Sequence, residues 1–160
     1  MPDIQTLKQQ AKQGDAEAQF SLGTMYQFGK GVNQDYREAV RWCRLAADQG
    51  IAIAQHRLGW LYYHGDGVKK DISEAEKWFR KAADQDHAQA QFILGMMYQN
   101  GEGVLQDDKK AHMWFNIALA NGSRKADEFI EIITRRMTPA DISKAQDMAR
   151  QCLASNYQDC

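Results

Sequence analysis

The sequence contains little proline and no long apolar run. Its 160 residues include 2 prolines, and no stretch approaches the roughly 18 apolar residues of a membrane-spanning helix. Proline is confined to helix starts, turns and strand edges, so its scarcity favours long helices. Pro2 precedes the first predicted helix and Pro139 begins the last. Residues 1–20 are mostly polar and lack the apolar segment of a secretory signal.

Cysteine is also scarce. The three cysteines, Cys43, Cys152 and Cys160, are widely spaced and form no CxxC or CxH pattern. This arrangement predicts neither a disulfide framework nor a zinc site, and no cofactor is expected. The expected compartment is the cytoplasm, or the periplasm if Met1 replaces a cleaved signal.

Charge of either sign is not in excess. There are 20 basic and 21 acidic residues, which give a formal net charge of −1. This balance lacks the electrostatic footprint of a protein that binds nucleic acid or a membrane surface. The length fits one domain, residues 1–160, of an ordinary soluble protein.

Glycine, by contrast, is frequent, and most of it belongs to an internal repeat. Residues 14–49, 50–85 and 86–121 align without a gap, and 13 of their 36 positions are identical in all three copies. Apolar residues at three- and four-residue spacing predict two helices in each copy. Asp35 with Glu38, and Asp71 with Glu74, predict capping boxes at the second helix.

The twelve glycines have distinct predicted roles. Gly23, Gly59 and Gly95 fall inside the first helix, where glycine costs about 1 kcal/mol, so a close approach of the second helix at Ala39, Ala75 and Ala111 is expected. Three Gly-x-Gly pairs, beginning at Gly29, Gly65 and Gly101, are predicted to end that helix and form the turn. Gly14, Gly50 and Gly122 mark boundaries between units.

The shared pattern A-x-A-Q-x-x-L-G-x-x-Y-x-x-G-x-G-V-x-x-D-x-x-x-A-x-x-W-x-x-x-A resembles the Sel-1-like repeat of the tetratricopeptide superfamily. The resemblance implies an all-α fold, a right-handed α-solenoid of helical hairpins with a concave face lined by the first helices. Residues 3–13 are expected to form an N-terminal capping helix, with Ala11 facing inward. Residues 122–155 are expected to form a degenerate C-terminal repeat whose last helix begins at the Thr138 cap and buries Leu153.

The recurring leucine, tyrosine and tryptophan positions, such as Leu22, Tyr26 and Trp42, are interpreted as core. In the resembled superfamily, other positions of the first helix bind partners. Several of these positions carry aromatic, methionine or basic side chains here, which is typical of an interaction surface. The candidate partner-binding residues are Phe20, Phe28, His56, Trp60, Tyr63, His64, Phe92, Met96, Arg135 and Arg136.

Phe20 and Phe92 have an alternative role as packing between repeats, and Arg135 and Arg136 as a solvated helix face. We expect a non-catalytic adaptor that binds a protein or peptide, and a monomer is favoured over an oligomer. One alternative is an inhibitor or immunity-type module that blocks a folded enzyme or toxin. Another is β-lactam hydrolysis, associated with cysteine-rich members of the resembled family. Those members carry a cysteine pair in each repeat, which this sequence lacks.

Overall fold

The computed structural model describes residues 3–160, and this part of the chain contains nine α-helices and no strand. Met1 and Pro2, the latter expected to precede the first helix, lie outside the described residues. The helices are α1 Ile4–Lys12, α2 Ala16–Phe28, α3 Tyr36–Asp48, α4 Ala52–His64, α5 Ile72–Ala83, α6 Ala88–Asn100, α7 Asp108–Ala120, α8 Lys125–Thr134 and α9 Pro139–Ala154. No helix among the described residues has the length and apolarity needed to cross a membrane.

The described chain divides into two compact units. The first extends to Trp78 and the second comprises Phe79–Cys160, so the boundary falls within α5. In the first unit, a core cluster joins Ala11 of α1 to Ala18, Leu22 and Trp42. The leucine and tryptophan positions predicted as core are buried here, whereas Tyr26 is only partly buried against this cluster.

The Gly-x-Gly turns have the predicted conformation. Gly29, Gly65 and Gly101 end α2, α4 and α6 in the left-handed region, with φ between 65° and 78°. The turn then closes onto the helix that it leaves, because an aspartate main-chain N–H donates to a tyrosine carbonyl nine residues earlier. The three bonds join Asp35 to Tyr26, Asp71 to Tyr62 and Asp107 to Tyr98, at 2.9, 3.0 and 3.0 Å.

The second helix of the first copy has one of the two bonds of its predicted capping box. The Asp35 carboxylate accepts the main-chain N–H groups of Arg37 and Glu38, as an N-cap should. The predicted reciprocal bond from Glu38 is wrong, because the Asp35 N–H is already bonded to Tyr26. The same prediction for Glu74 in the second copy is wrong for the same reason, since the Asp71 N–H donates to Tyr62. Glu38 instead accepts the Trp42 indole N–H at 3.0 Å.

Close helix contact explains the glycines inside the first helices. A Cβ at Gly23 would lie 2.5 Å from the Cys43 sulfur, and one at Gly95 would lie 2.5 Å from the Phe115 ring. The close approach was predicted, but the expected neighbour was the alanine four residues earlier. In the first copy, the Ala39 carbonyl is the more distant contact, at 3.3 Å.

A buried glutamine repeats in every copy. Gln19, Gln55 and Gln91 each donate through the side-chain amide to a main-chain carbonyl eight residues earlier, at Ala11, Ala47 and Ala83. The donor–acceptor distances are 3.0, 3.1 and 2.9 Å. A buried polar group is costly unless bonded, so these contacts let the repeat keep an amide inside its core. The acceptor at Ala11 shows that α1 provides the carbonyl for the first copy, just as α3 provides it for the second.

The C-terminal region departs from the sequence-based expectation after α9 begins. Thr138 caps α9 as predicted, since its hydroxyl accepts the Asp141 N–H at 3.1 Å. However, Leu153 is 42% exposed, and its neighbour Cys152 is fully buried in its place. Cys152 and Cys160 form a disulfide, so the expectation that the cysteines would not be cross-linked is wrong for this pair.

The disulfide closes a short tail over the second unit. Asn156 and Tyr157 both have positive φ, 52° and 67°, and this reverses the chain direction after α9. Tyr157 is 7% exposed and stacks on Trp114, with ring centroids 6.4 Å apart. Its hydroxyl bonds to the Asp86 carboxylate and accepts from Gln91 at 3.0 Å. Burial, assisted by the bond to Asp86, raises the pKa of the Tyr157 hydroxyl.

Candidate protein-binding surface

Four candidate residues on α4 form one ring cluster in the first unit. This aromatic cluster comprises His56, Trp60, Tyr63 and His64. The Trp60 ring stacks on His64 with centroids 5.2 Å apart, and Tyr63 meets both rings edge-on at 5.3 and 5.2 Å. The Trp60 indole N–H donates to His56 Nε2 at 3.2 Å, which fixes one end of the cluster.

The aromatic cluster lies on a helix whose other face is buried in the core, and its rings are at least partly accessible to solvent. The three apolar neighbours on α4 that follow the repeat pattern, Leu58, Leu61 and Tyr62, are buried. His64 is exposed, whereas Trp60 and Tyr63 are half-buried. One helix thus presents a packed face to the core and a second, ring-covered face to solvent. The repeat pattern accounts for the first face only.

Phe20 and Phe28 lie on α2 and are joined to α4 by a residue that the sequence analysis missed. The Arg57 guanidinium lies 5.6 Å from the Phe20 ring centroid and 5.4 Å from that of Phe28. Arg57 Nη1 also donates to Gln27 Oε1 at 3.0 Å. We call Phe20, Arg57 and Phe28 the arginine stack. Phe28 is 52% exposed, so one ring of the stack faces solvent.

A signal for Arg57 was present in the sequence. The corresponding residues in the other two copies are Ser21 and Ile93, so the repeat does not determine the side chain at this position. The position directly follows His56, which was already a candidate. The sequence alone therefore shows a basic residue beside an aromatic candidate, at a position that differs among the three copies.

Lysines border both groups of rings. Lys30 Nζ lies 5.7 Å from the Phe28 centroid, and Lys70 Nζ lies 5.9 Å from that of Tyr63. Cations at these distances are attracted to the ring faces, and together with Arg57 they place three positive charges beside the rings. The first unit thus combines exposed aromatic area with positive charge.

The remaining candidates lie in the second unit and have other neighbours. Phe92 packs in a three-ring cluster with Phe115 and Phe129, at centroid distances of 5.7 and 5.1 Å. Met96 is half-buried on α6. Arg135, which follows the end of α8, pairs with Glu131 of that helix at 2.8 Å, and Arg136 pairs with Asp108 at 2.6 Å. The structure therefore assembles the α4 candidates into a cluster and places these four separately.

The described residues contain no group of three or more histidine, cysteine or acidic side chains arranged to hold a metal ion. Cys43, expected to be a small buried hydrophobe, is fully buried and unpaired with another cysteine. Burial raises the pKa of its thiol to about 12, although the nearby Arg57 charge opposes this. At neutral pH Cys43 is therefore a neutral thiol and a poor nucleophile.

Comparison with known proteins agrees with the repeat architecture. The family model described as Sel1 repeat matches residues 16–51, 52–87 and 88–123. A search of curated proteins found no match. Among solved structures, a Sel1 repeat protein from Oxalobacter formigenes is 36% identical, with a TM-score of 0.75 over 78% of this chain and 51% of that one.

Two further structures have the same fold. A protective antigen of uropathogenic Escherichia coli strains, described as displaying an SLR fold, is 40% identical over 75% of this chain and 26% of its own, with a TM-score of 0.73. Helicobacter pylori cysteine rich protein B is 24% identical over 78% of this chain and 94% of its own, with a TM-score of 0.63. The chain thus spans about half of the first relative and a quarter of the second. The predicted all-α, helical-repeat solenoid class is confirmed.

Proposed function

This chain belongs to the Sel1 repeat family, whose repeats generally mediate protein–protein interaction without catalysis, and we propose that it is an adaptor that binds a polypeptide partner. The binding surface consists of the aromatic cluster on α4 and the arginine stack beside it. The partner is a protein or peptide, and its apolar side chains pack against Trp60, Tyr63 and Phe28.

The aromatic cluster is the observation that carries this proposal. Its rings contact one another on the solvent side of α4, while the repeat core is complete beneath them. Tryptophan and tyrosine dominate the energetics of protein interfaces, because each buries a large area with little loss of side-chain freedom. Held in mutual contact, Trp60 and Tyr63 lose still less freedom when a partner binds.

Paired alanine substitutions test the surface. We expect Trp60→Ala with Tyr63→Ala to reduce capture of partner protein from native lysate at least tenfold, because the rings supply most of the apolar contact area. Capture is measured by quantitative mass spectrometry, and circular dichroism checks that the helical signal is retained.

The matched control is Tyr36→Ala with Leu45→Ala, since these side chains are 37% and 41% exposed on α3. It removes exposed apolar area elsewhere in the same unit and should leave capture unchanged. Equal capture by both double variants would place the binding surface outside α4.

We also propose that the protein works in an oxidising compartment. Of the two compartments expected from the sequence, this favours the periplasm over the cytoplasm. The bond between Cys152 and Cys160 supports this, because disulfides persist mainly outside the reducing cytoplasm. Cells quenched in acid and labelled with a thiol reagent under denaturing conditions should give one reactive cysteine per chain, Cys43. Three reactive cysteines would place the protein in a reducing compartment.

A further inference from the structure

Building on the proposed function, we propose that Arg57 binds a carboxylate of the partner and selects a segment in which an aspartate or glutamate side chain neighbours an apolar one. Arg57 would thus determine specificity, whereas the aromatic cluster supplies contact area.

The guanidinium of Arg57 is held in place before any partner binds. Phe20 and Phe28 flank it at 5.6 and 5.4 Å, and Gln27 accepts from Nη1 at 3.0 Å. Arginine normally loses considerable side-chain freedom on binding, and stacking with a fixed hydrogen bond removes most of that loss in advance. The head group is therefore positioned to form a directed bond.

Arg57 lacks a counterion. None of the ion pairs formed by the described residues involves Arg57, and its Nε–H is buried without an acceptor. Its neighbours include two phenyl rings, an amide and the buried thiol of Cys43, none of which carries a negative charge. A guanidinium in such an apolar setting attracts an anion strongly, and a carboxylate matches its planar donor geometry.

The neighbouring charges favour acidic side chains over a single terminal carboxylate. Lys30 lies beyond Phe28, and Lys70 lies beside Tyr63. With Arg57, these residues distribute three positive charges around the two groups of rings. A segment with several carboxylates along its length complements all three charges, whereas one chain end complements one.

Peptide selection tests this proposal directly. Random 12-residue peptides displayed on phage, with their C-termini fused to the coat protein, are selected against the wild-type chain and against Arg57→Gln in parallel. We expect the wild-type pool to be enriched in aspartate or glutamate beside aromatic or aliphatic residues. The Arg57→Gln pool should show at least tenfold less acidic enrichment while keeping the apolar preference.

The controls separate this proposal from the adaptor function. Arg41→Gln, at an exposed arginine on α3, should select the same acidic peptides as the wild type. Acidic enrichment that persists in Arg57→Gln, a wild-type pool without acidic residues, or no enriched peptide would each overturn the proposal. Enrichment confined to a second library with free C-termini would overturn the choice of acidic side chains. If Arg57→Gln captures the cellular partner normally while the Trp60–Tyr63 double variant does not, only the role of Arg57 fails.

Discussion

Trp114 is fully buried, and its indole N–H has no acceptor among the described residues. In the first copy, Glu38 accepts the corresponding N–H of Trp42. Lys110 replaces that glutamate in the third copy and lies over the Tyr98 ring at 5.4 Å instead. The third copy thus lacks the acceptor that serves the indole in the first, and an unsatisfied buried donor costs about 1–3 kcal/mol.

Lys110→Glu should therefore raise the free energy of unfolding by about 1 kcal/mol, because the new bond outweighs the lost contact with Tyr98. Urea denaturation provides the measurement. Lys110→Met is the control, since it removes the same cation without supplying an acceptor. A gain of equal size in both variants would show that the indole bond is not the cause.

Gly31 and Gly67 occupy the same place in consecutive turns but have different surroundings. Both have positive φ, 74° and 71°. A Cβ at Gly31 would meet only the flexible end of Met25, at 3.2 Å, whereas one at Gly67 would lie 2.3 Å from the main-chain carbonyl of Tyr36. The backbone conformation penalises alanine equally at the two positions, and the clash is specific to Gly67.

We expect Gly31→Ala to destabilise the chain by about 1 kcal/mol, from the backbone strain alone. Gly67→Ala should cost about 3 kcal/mol, since the start of α3 must also move. The difference between the two denaturation midpoints isolates the contact with Tyr36. Indistinguishable midpoints would mean that the backbone of α3 yields at little cost.

At the scale of the element, the helical hairpins were predictable because the same residue pattern recurs in three copies. Asp71, Gly65 and Gly95 have the roles that their recurrence indicated. Features that occur once were missed. The capping box is an exception, since it was predicted in two copies and is absent from both. The cap N–H donates to a tyrosine carbonyl instead, at Tyr26 and Tyr62, and that contact depends on three-dimensional packing.

The candidate surface followed the same rule. The Trp60, Tyr63 and His64 cluster was predictable, since residues three and four apart share a helix face. Arg57 was missed because its role depends on Phe20 and Phe28, which are distant in sequence. The tail was missed because Asn156 and Tyr157 adopt positive φ without being glycine, so no local signal marks the reversal.

The tail held by Cys152 and Cys160 should contribute measurably to stability. Closing a loop of this length is worth about 2–3 kcal/mol in the chain-entropy treatment. Cys160→Ser removes the bond and keeps Cys152 in its buried position. We expect it to lower the free energy of unfolding by about 2 kcal/mol. Dithiothreitol should lower the wild-type value to that of the variant and leave the variant unaffected. A wild-type midpoint unchanged by reductant would contradict the contribution.

At the scale of the whole molecule, stability should depend on pH through two histidines. Burial lowers the pKa of His87 and of His112 below the ordinary value of 6.5. As pH falls below about 6.5, the unfolded chain binds protons that the folded chain resists. The free energy of unfolding should therefore be unaffected by these groups above pH 7 and should decline between pH 6.5 and 5.

His87→Asp offers a matched variant for this dependence. His87 Nδ1 caps α6 by accepting the Ala90 N–H at 3.2 Å, and Asp15 does the same for Ala18 at the start of α2. The variant should keep the cap and lose the contribution of His87, so its melting temperature should fall less between pH 7 and 5. An unchanged slope would assign the dependence to His112 alone.

The buried glutamines have a consequence for how such a protein gains repeat units during evolution. Each one bonds to a main-chain carbonyl eight residues upstream, an atom that every residue type supplies. A unit inserted by gene duplication would find its acceptor in whichever helix precedes it, without a compensating mutation. Copy number can therefore change during evolution while the polar interior remains satisfied, and the α4 surface is free to diverge between paralogues of different length.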